Sequence, residues 1–337
     1  MLQLSNHTPF KAAFAKLCNA SGVDTLYLVV SATFELTPHL ALAEQQLAPI
    51  LSDEYNGEPG ASSLRHAAEL HLGKPGTDVI VVGHARTPAG KRVSELHVGV
   101  RVGPHEKLVQ VFGDRTWRGL EPSKPAPFVE MPLLYERAFG GSIRDQESLV
   151  QTEERNPVGV GLGIARGRGA FGDPLPNIED PRQLLGEGSA PSPAGLGCIA
   201  PHWLPRRSFA GTYDERWQRT RAPYVPEDFD ARFFQCASDG LRLSKYLSGG
   251  EPLVVLGMSE RGPIHSALPR CRLEATFELR GQRNAAPVQL QTVVLEPDDN
   301  RMRLTFHTQF VCDKLALEVD RVELRLQSLE LTVPGSP

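Results

Sequence analysis

From Cys271 to Leu279 the chain alternates without a break. Cys271, Leu273, Ala275, Phe277 and Leu279 are apolar or weakly polar; Arg272, Glu274, Thr276 and Glu278 are polar. Successive side chains of a strand point to opposite faces, so a period of two describes a half-buried strand. Arg92 to Val102 reads the same way through Leu96, Val98, Val100 and Val102, and Arg301 to Phe310 through Met302, Leu304, Phe306 and Phe310. Val322, Leu324 and Leu326 alternate, but Leu329, Leu331 and Val333 continue in the opposite parity, changing at Ser328. One inserted residue is what a β-bulge supplies. Thr25 to Leu36 is a buried strand, with a partner strand suggested by Leu40 and Leu42. Lys74 to Ala85 is a turn and a short apolar strand, and Lys107 to Phe112 and Leu253 to Met258 are further strands. Each apolar face needs a second layer. A polar opposite face marks antiparallel sheet. The expected fold is mainly β, with sandwich-like antiparallel sheets built from both chain ends.

Between those ends the texture changes. From about Gly119 to Gly250 prolines and glycines recur every few residues, and helix signals are short: Pro226-Glu-Asp-Phe, Leu133 to Phe139 and Leu241 to Leu247. The expected division is a β region over 1–118, an irregular region with short helices over 119–250, and a second β region over 251–334 packed with the first. A long irregular region in a compact chain is functional or disordered. Here Arg207 to Ala237 carries Phe209, Tyr213, Trp217, Tyr224, Phe229, Phe233 and Phe234 among opposed charges. Disordered segments lack such rings. The stretch is expected to be ordered, either as functional surface or as a plug in the core.

Composition narrows the function. The formal net charge of −4 lacks the basic field of a nucleic-acid binder. Five widely spaced cysteines, without a C-x-x-C, argue against a disulfide framework or a zinc site and fit a reducing cytosol. No leader pattern stands at the N-terminus, and no apolar run approaches a membrane span. The expected location is cytoplasmic, with neither nucleic acid nor membrane as partner.

No motif dictates catalysis. Asn156 to Gly169 holds a G-x-G-x-G, but proline and glycine flank it where a dinucleotide site needs a strand and a helix. It reads as a turn-rich loop using positive φ. His66, His71, His84 and Asp78 are the only grouping resembling a metal set, and their spacing does not require one. Asp214, Glu215, Glu227, Asp228 and Asp230 are the carboxylates a hydrolase would draw on. Two arginine-bearing motifs, Gly113-Asp-Arg-Thr-Trp117 and Tyr135-Glu-Arg-Ala-Phe-Gly-Gly141, read as loop-fixing ion pairs beside aromatic rings.

Those motifs belong to an ordered set. It comprises Asn6-His-Thr-Pro-Phe10, Lys74 to Ala85, Val111 to Trp117, Tyr135 to Gly141, Asn156-Pro-Val-Gly159, Leu175-Pro-Asn-Ile-Glu-Asp-Pro181, Gly211-Thr-Tyr-Asp-Glu-Arg-Trp217, and Pro226 to Asp230 with Phe233-Phe234. Each is weak alone. Together and in this order they resemble the bacterial domain of unknown function 2169, to about residue 310. The resemblance implies a non-enzymatic adaptor or chaperone of type VI secretion, with no cofactor, metal or catalytic residue. Its expected partners are a toxin effector and a PAAR-like spike-tip protein, with VgrG as a further partner. The alternative is a hydrolase using the central carboxylates or a histidine-based metal site. Tyr, Trp and Arg are enriched at interface hot spots, so Tyr213, Asp214, Glu215, Trp217, Phe233 and Phe234 are the expected partner-binding residues.

Overall fold

The computed structural model describes residues 3–37, 39–145, 148–186 and 190–331. It is mainly β, with helix confined to short turns. Its central sheet runs in the order Lys11–Cys18, Asp24–Glu35, Arg301–Val311, Gln289–Glu296 and Asp78–Val81. Two adjacent strands from the C-terminal part thus lie between strands from the N-terminal part within one sheet. Thr25 to Phe34 is buried at every position, which explains why its sequence is almost continuously apolar rather than alternating. Ala41–Leu42 pairs with Phe34 and Glu35.

A second sheet orders Ile178–Glu179, His105–Phe112, Glu95–Val102, Pro252–Leu256 and Ile264–Ala267, all antiparallel. The third orders Gln3–His7, Val319–Glu330, Arg270–Leu279 and Gln282–Ala286. In it Arg272 faces Ser328 while Leu273 faces Leu326, so Gln327 is the extra residue that flips the parity. The bulge lies one residue from the position where the alternation breaks.

Besides the short parallel pair of Phe139–Gly140 with Val160–Gly161, two long-range pairings depart from the antiparallel expectation. Gln3–His7 pairs parallel with Val319–Glu330, and Asp78–Val81 pairs parallel with Gln289–Glu296. Both are pairs between distant parts of the chain, brought together without a βαβ crossover. The short helices also fall differently. Pro226 to Phe229 is a turn, because Asp228 accepts from the Thr212 amide instead of starting a helix. Leu133 to Phe139 holds only the single turn Tyr135–Arg137, and Leu241 to Leu247 is non-helical.

The central region supplies core as well as surface. Leu196, Cys198, Ala200, Trp203, Cys236, Ala237, Leu241 and Leu243 join the same hydrophobic core as Val79, Val81, Val293 and Leu304. Trp203 is fully buried and meets Tyr135 edge to face. A smaller core gathers Trp117, Phe139, Leu162, Ile164, Leu175 and Leu185.

The order of the irregular region comes from cross-links between its motifs. Arg115 lies over the Phe112 ring at 3.8 Å and pairs with Glu179, not with its neighbour Asp114. Arg137 reaches Asn177 at 3.0 Å and Asp114 at 3.4 Å, not the adjacent Glu136, which instead holds Ser63. The buried Asn156 donates to the carbonyls of Tyr135 and Phe139 at 2.7 and 2.9 Å. Gly140, at φ 154°, touches it so closely that a Cβ there would lie 2.1 Å from the Asn156 carbonyl oxygen. The G-x-G-x-G loop therefore packs against Asn156, with Gly161 at φ 96°, and leads into the one-turn helix Leu162–Ala165.

Candidate functional site

Two short turns form the base of the central stretch. Arg206–Phe209 packs on Ala231–Phe234, closing the chain between them into a projecting lobe. Arg206 is the bolt. Its guanidinium is buried and donates to the carbonyls of Ile199 at 2.6 Å and Phe233 at 2.9 Å. It also lies over the Phe233 ring. Arg232 covers Phe209 at 4.3 Å and pairs with Asp230. Phe229, Phe233 and Phe234 form a three-ring cluster. Phe234 then stacks on His71, and His71 on His307, so the cluster is tied through two imidazoles to the central sheet.

The lobe carries the other four predicted residues. Asp214 caps the helix Glu215–Thr220 by accepting from the Trp217 amide at 2.8 Å. A carboxylate at this end satisfies an orphan amide and faces the positive end of the dipole. Tyr213 and Trp217 meet edge to face at 4.7 Å, with Tyr213 55% exposed and Trp217 half-buried. The Trp217 indole donates to the Tyr224 carbonyl at 2.8 Å. Asp228 accepts from the amide and hydroxyl of Thr212, which hold its carboxyl below the usual range. Arg221 donates to the carbonyls of Val225 and Ala20, and Tyr224 lies against Gly22, so the lobe leans on the turn before Asp24–Glu35.

Between these elements opens a cleft of about 310 Å³, lined by Asp214, Arg216, Trp217, Arg221, Pro226 and Asp228, with Thr212, Thr220 and Glu227 completing it. One aromatic wall within mixed charge is the anatomy of an interface with a polar rim. The structure thus brings together Tyr213, Asp214, Glu215 and Trp217 on the lobe. It places Phe233 and Phe234 in the base, as anchors. Thr212, Arg221 and Asp228 line the cleft, and Arg206 and His71 hold its base. The sequence singled out Asp228 as a carboxylate, His71 within the histidine grouping and Thr212 within a motif, none of them for these roles; Arg206 and Arg221 were missed as site residues.

The carboxylates of the hydrolase alternative are engaged in structure. Asp214 caps, Asp228 binds Thr212, and Asp230 is held low by the Arg232 guanidinium. A general acid needs the opposite shift. Of the histidine grouping, His66 is buried 3.5 Å from Glu296, His71 is stacked, and His84 binds Asp298 at 2.8 Å. Among the described residues no three His, Cys, Asp or Glu side chains converge to hold a metal ion.

A second exposed patch lies on the outer face of the second sheet. Leu108, Val254, Leu256 and Pro263 surround Gly99 in a cleft of about 340 Å³ with Arg101, Glu106 and His265. No sequence feature singled it out, because its apolar residues come from two separate strands and the turn before a third.

The model of a family described as "Uncharacterized protein conserved in bacteria (DUF2169)" matches residues 21–307. The chain belongs to the DUF2169 family. No curated protein and no solved structure matches it. The DUF2169 match includes the whole lobe and its base, together with every motif of the ordered set except Asn6 to Phe10. Those residues make the turn into Lys11–Cys18, where the Asn6 amide donates to the Phe10 carbonyl at 2.8 Å. Among the described residues no helix is long and apolar enough to cross a membrane.

Proposed function

We propose that this DUF2169 protein is a cytoplasmic, non-enzymatic accessory protein of type VI secretion. It binds a toxin effector and helps to load it onto a PAAR-like spike tip carried by VgrG. The observation that carries the reading is the Tyr213–Trp217 pair, presented beside a charged cleft on a lobe bolted to the β frame by Arg206. A pre-ordered aromatic pair at a polar rim favours protein recognition, because little side-chain freedom remains to be lost on binding. The engagement of the nearby carboxylates as caps and ion-pair partners supports a stoichiometric binder over a hydrolase. The role in secretion rests on the motif resemblance. The test is co-expression with candidate toxin and PAAR-like proteins drawn from its gene neighbourhood, followed by size-exclusion chromatography. A stoichiometric complex with the toxin is expected. Elution of this protein alone, with both candidates expressed and folded, would refute the reading.

A further inference from the structure

The lobe and its base lie between two cysteines. The Cys198 and Cys236 sulfurs are in contact at 3.8 Å although the residues are 38 apart in sequence. Both are 1% exposed. The Ile199 amide donates to the Cys236 carbonyl at 2.7 Å, and Cys198 bridges Ala237, so the backbones at this point are already joined. The other three cysteines, Cys18, Cys271 and Cys312, have no such sulfur partner, and all five are free thiols.

The surroundings set up one sulfur as the nucleophile. Asp78 accepts from the Cys236 amide at 2.8 Å and from the Lys74 ammonium at 2.9 Å, which places a buried cation beside this cysteine. The contact with Cys198, and then the Lys74 charge, lower the Cys236 thiol, whereas the same contact and burial raise Cys198. A small internal cavity touches both cysteines, Lys74, His66 and Thr292. That cavity, about 10 Å³, is no larger than a single water, so an oxidant reaches the sulfurs only through transient local opening of the neck.

We propose that Cys198 and Cys236 form a redox-modification site that takes a hydroperoxide and closes into a disulfide at the neck of the lobe. With hydrogen peroxide the Cys236 thiolate attacks one peroxide oxygen, the O–O bond breaks, and the departing hydroxide takes up the single proton given up by the Cys236 thiol and leaves as water (an organic hydroperoxide would release the alcohol instead). The Cys198 sulfur then attacks the resulting sulfenic sulfur. Its hydroxide leaves with the Cys198 proton as a second water. Two thiols are oxidised, one peroxide is reduced, and the balance closes without a further reactant. The link encloses the residues between 198 and 236, so it restricts the unfolded chain and pins the base of the lobe in the folded one. The oxidation itself depends only on the sulfur geometry; its consequence for a partner depends on the reading above.

The test is exposure of the full-length reduced protein to hydrogen peroxide under native conditions, followed by peptide mapping and thermal melting. The expected result is a Cys198–Cys236 linked peptide, loss of two of the five free thiols, and a melting midpoint raised by about 5 °C. Dithiothreitol reverses all three. Cys198→Ala and Cys236→Ala each abolish the rise. Because an alanine variant can fold poorly, the peptide map of the wild-type protein decides. Oxidation of Cys18, Cys271 or Cys312 with Cys198 and Cys236 left as thiols, or a disulfide between two copies, would overturn the proposal. A toxin complex can form or fail independently of this chemistry, so the two readings fail separately.

Discussion

Phe234 stacks on His71 with ring centroids 5.1 Å apart and planes 19° from parallel. The contact joins the last turn of the central stretch to a loop in the N-terminal third of the chain. It converts a segment with little regular structure into part of one packed unit. Phe234→Ala is expected to destabilise the protein by about 2–3 kcal/mol, below the cost of a fully buried ring because this one is half-buried. Urea unfolding measures it. A variant with wild-type stability would show that the base is held without the stack.

Asn156 makes an independent test of how the irregular region is ordered. Its amide nitrogen serves two buried carbonyls, and its backbone lies against Gly140. Asn156→Ala leaves both carbonyls without that donor, at an expected cost of about 2–4 kcal/mol. Gly140→Ala is expected to be worse, because a Cβ meets backbone and the positive φ is strained for any L side chain. Soluble, wild-type-like melting of Gly140→Ala would contradict this packing.

Acid should weaken the fold before its carboxylates protonate. Burial holds His66 and His307 down to about 4. In the unfolded chain both titrate near 6.5. The folded state therefore refuses protons that the unfolded state accepts. Stability is full above pH ~6.5 and falls progressively toward pH ~4, by about 3 kcal/mol for each histidine at the acid end. Urea midpoints measured across this range should fall in the wild-type protein and fall less steeply in His307→Gln. Midpoints that stay level between pH 6.5 and 4 would mean that these imidazoles are not buried neutral.

The β frame was legible because strand burial writes itself as alternation. Arg270–Leu279 and Glu95–Val102 carry it, and even the bulge at Gln327 showed as a change of parity. Arg301–Val311 alternates in sequence, but its half-buried reading is corrected, because Met302 to Thr308 is buried on both faces and Arg303, Thr305 and His307 are satisfied by Glu69 and the His71 carbonyl. Gln3–His7 and Lys11–Cys18 were not singled out, since neither has a cleanly buried face. The two long-range parallel pairings could not be read, because register between distant segments depends on packing rather than on local pattern. The same limit applied to the loop arginines. Local pairing was the natural expectation for Arg115 and Arg137, yet the better acceptors were Glu179 and Asn177, about 40 or more positions away. In the candidate site the rings and their order were visible. Which rings face outward was decided by Arg206 and His71, and neither carries a sequence signal for that role.

The central claim is that the lobe, and not the apolar patch around Gly99, receives the partner. The direct measurement is isothermal titration of the purified toxin into wild-type protein, into Trp217→Ala with Tyr213→Ala, and into Leu256→Glu, each checked by thermal melt. The lobe variant is expected to lose about 2 kcal/mol or more of binding, roughly a thirtyfold weaker Kd, while melting close to the wild-type protein. Leu256→Glu is expected to bind as the wild-type protein does. Unchanged affinity in the folded lobe variant, with binding lost in Leu256→Glu, would contradict the account and move the interface to the second sheet.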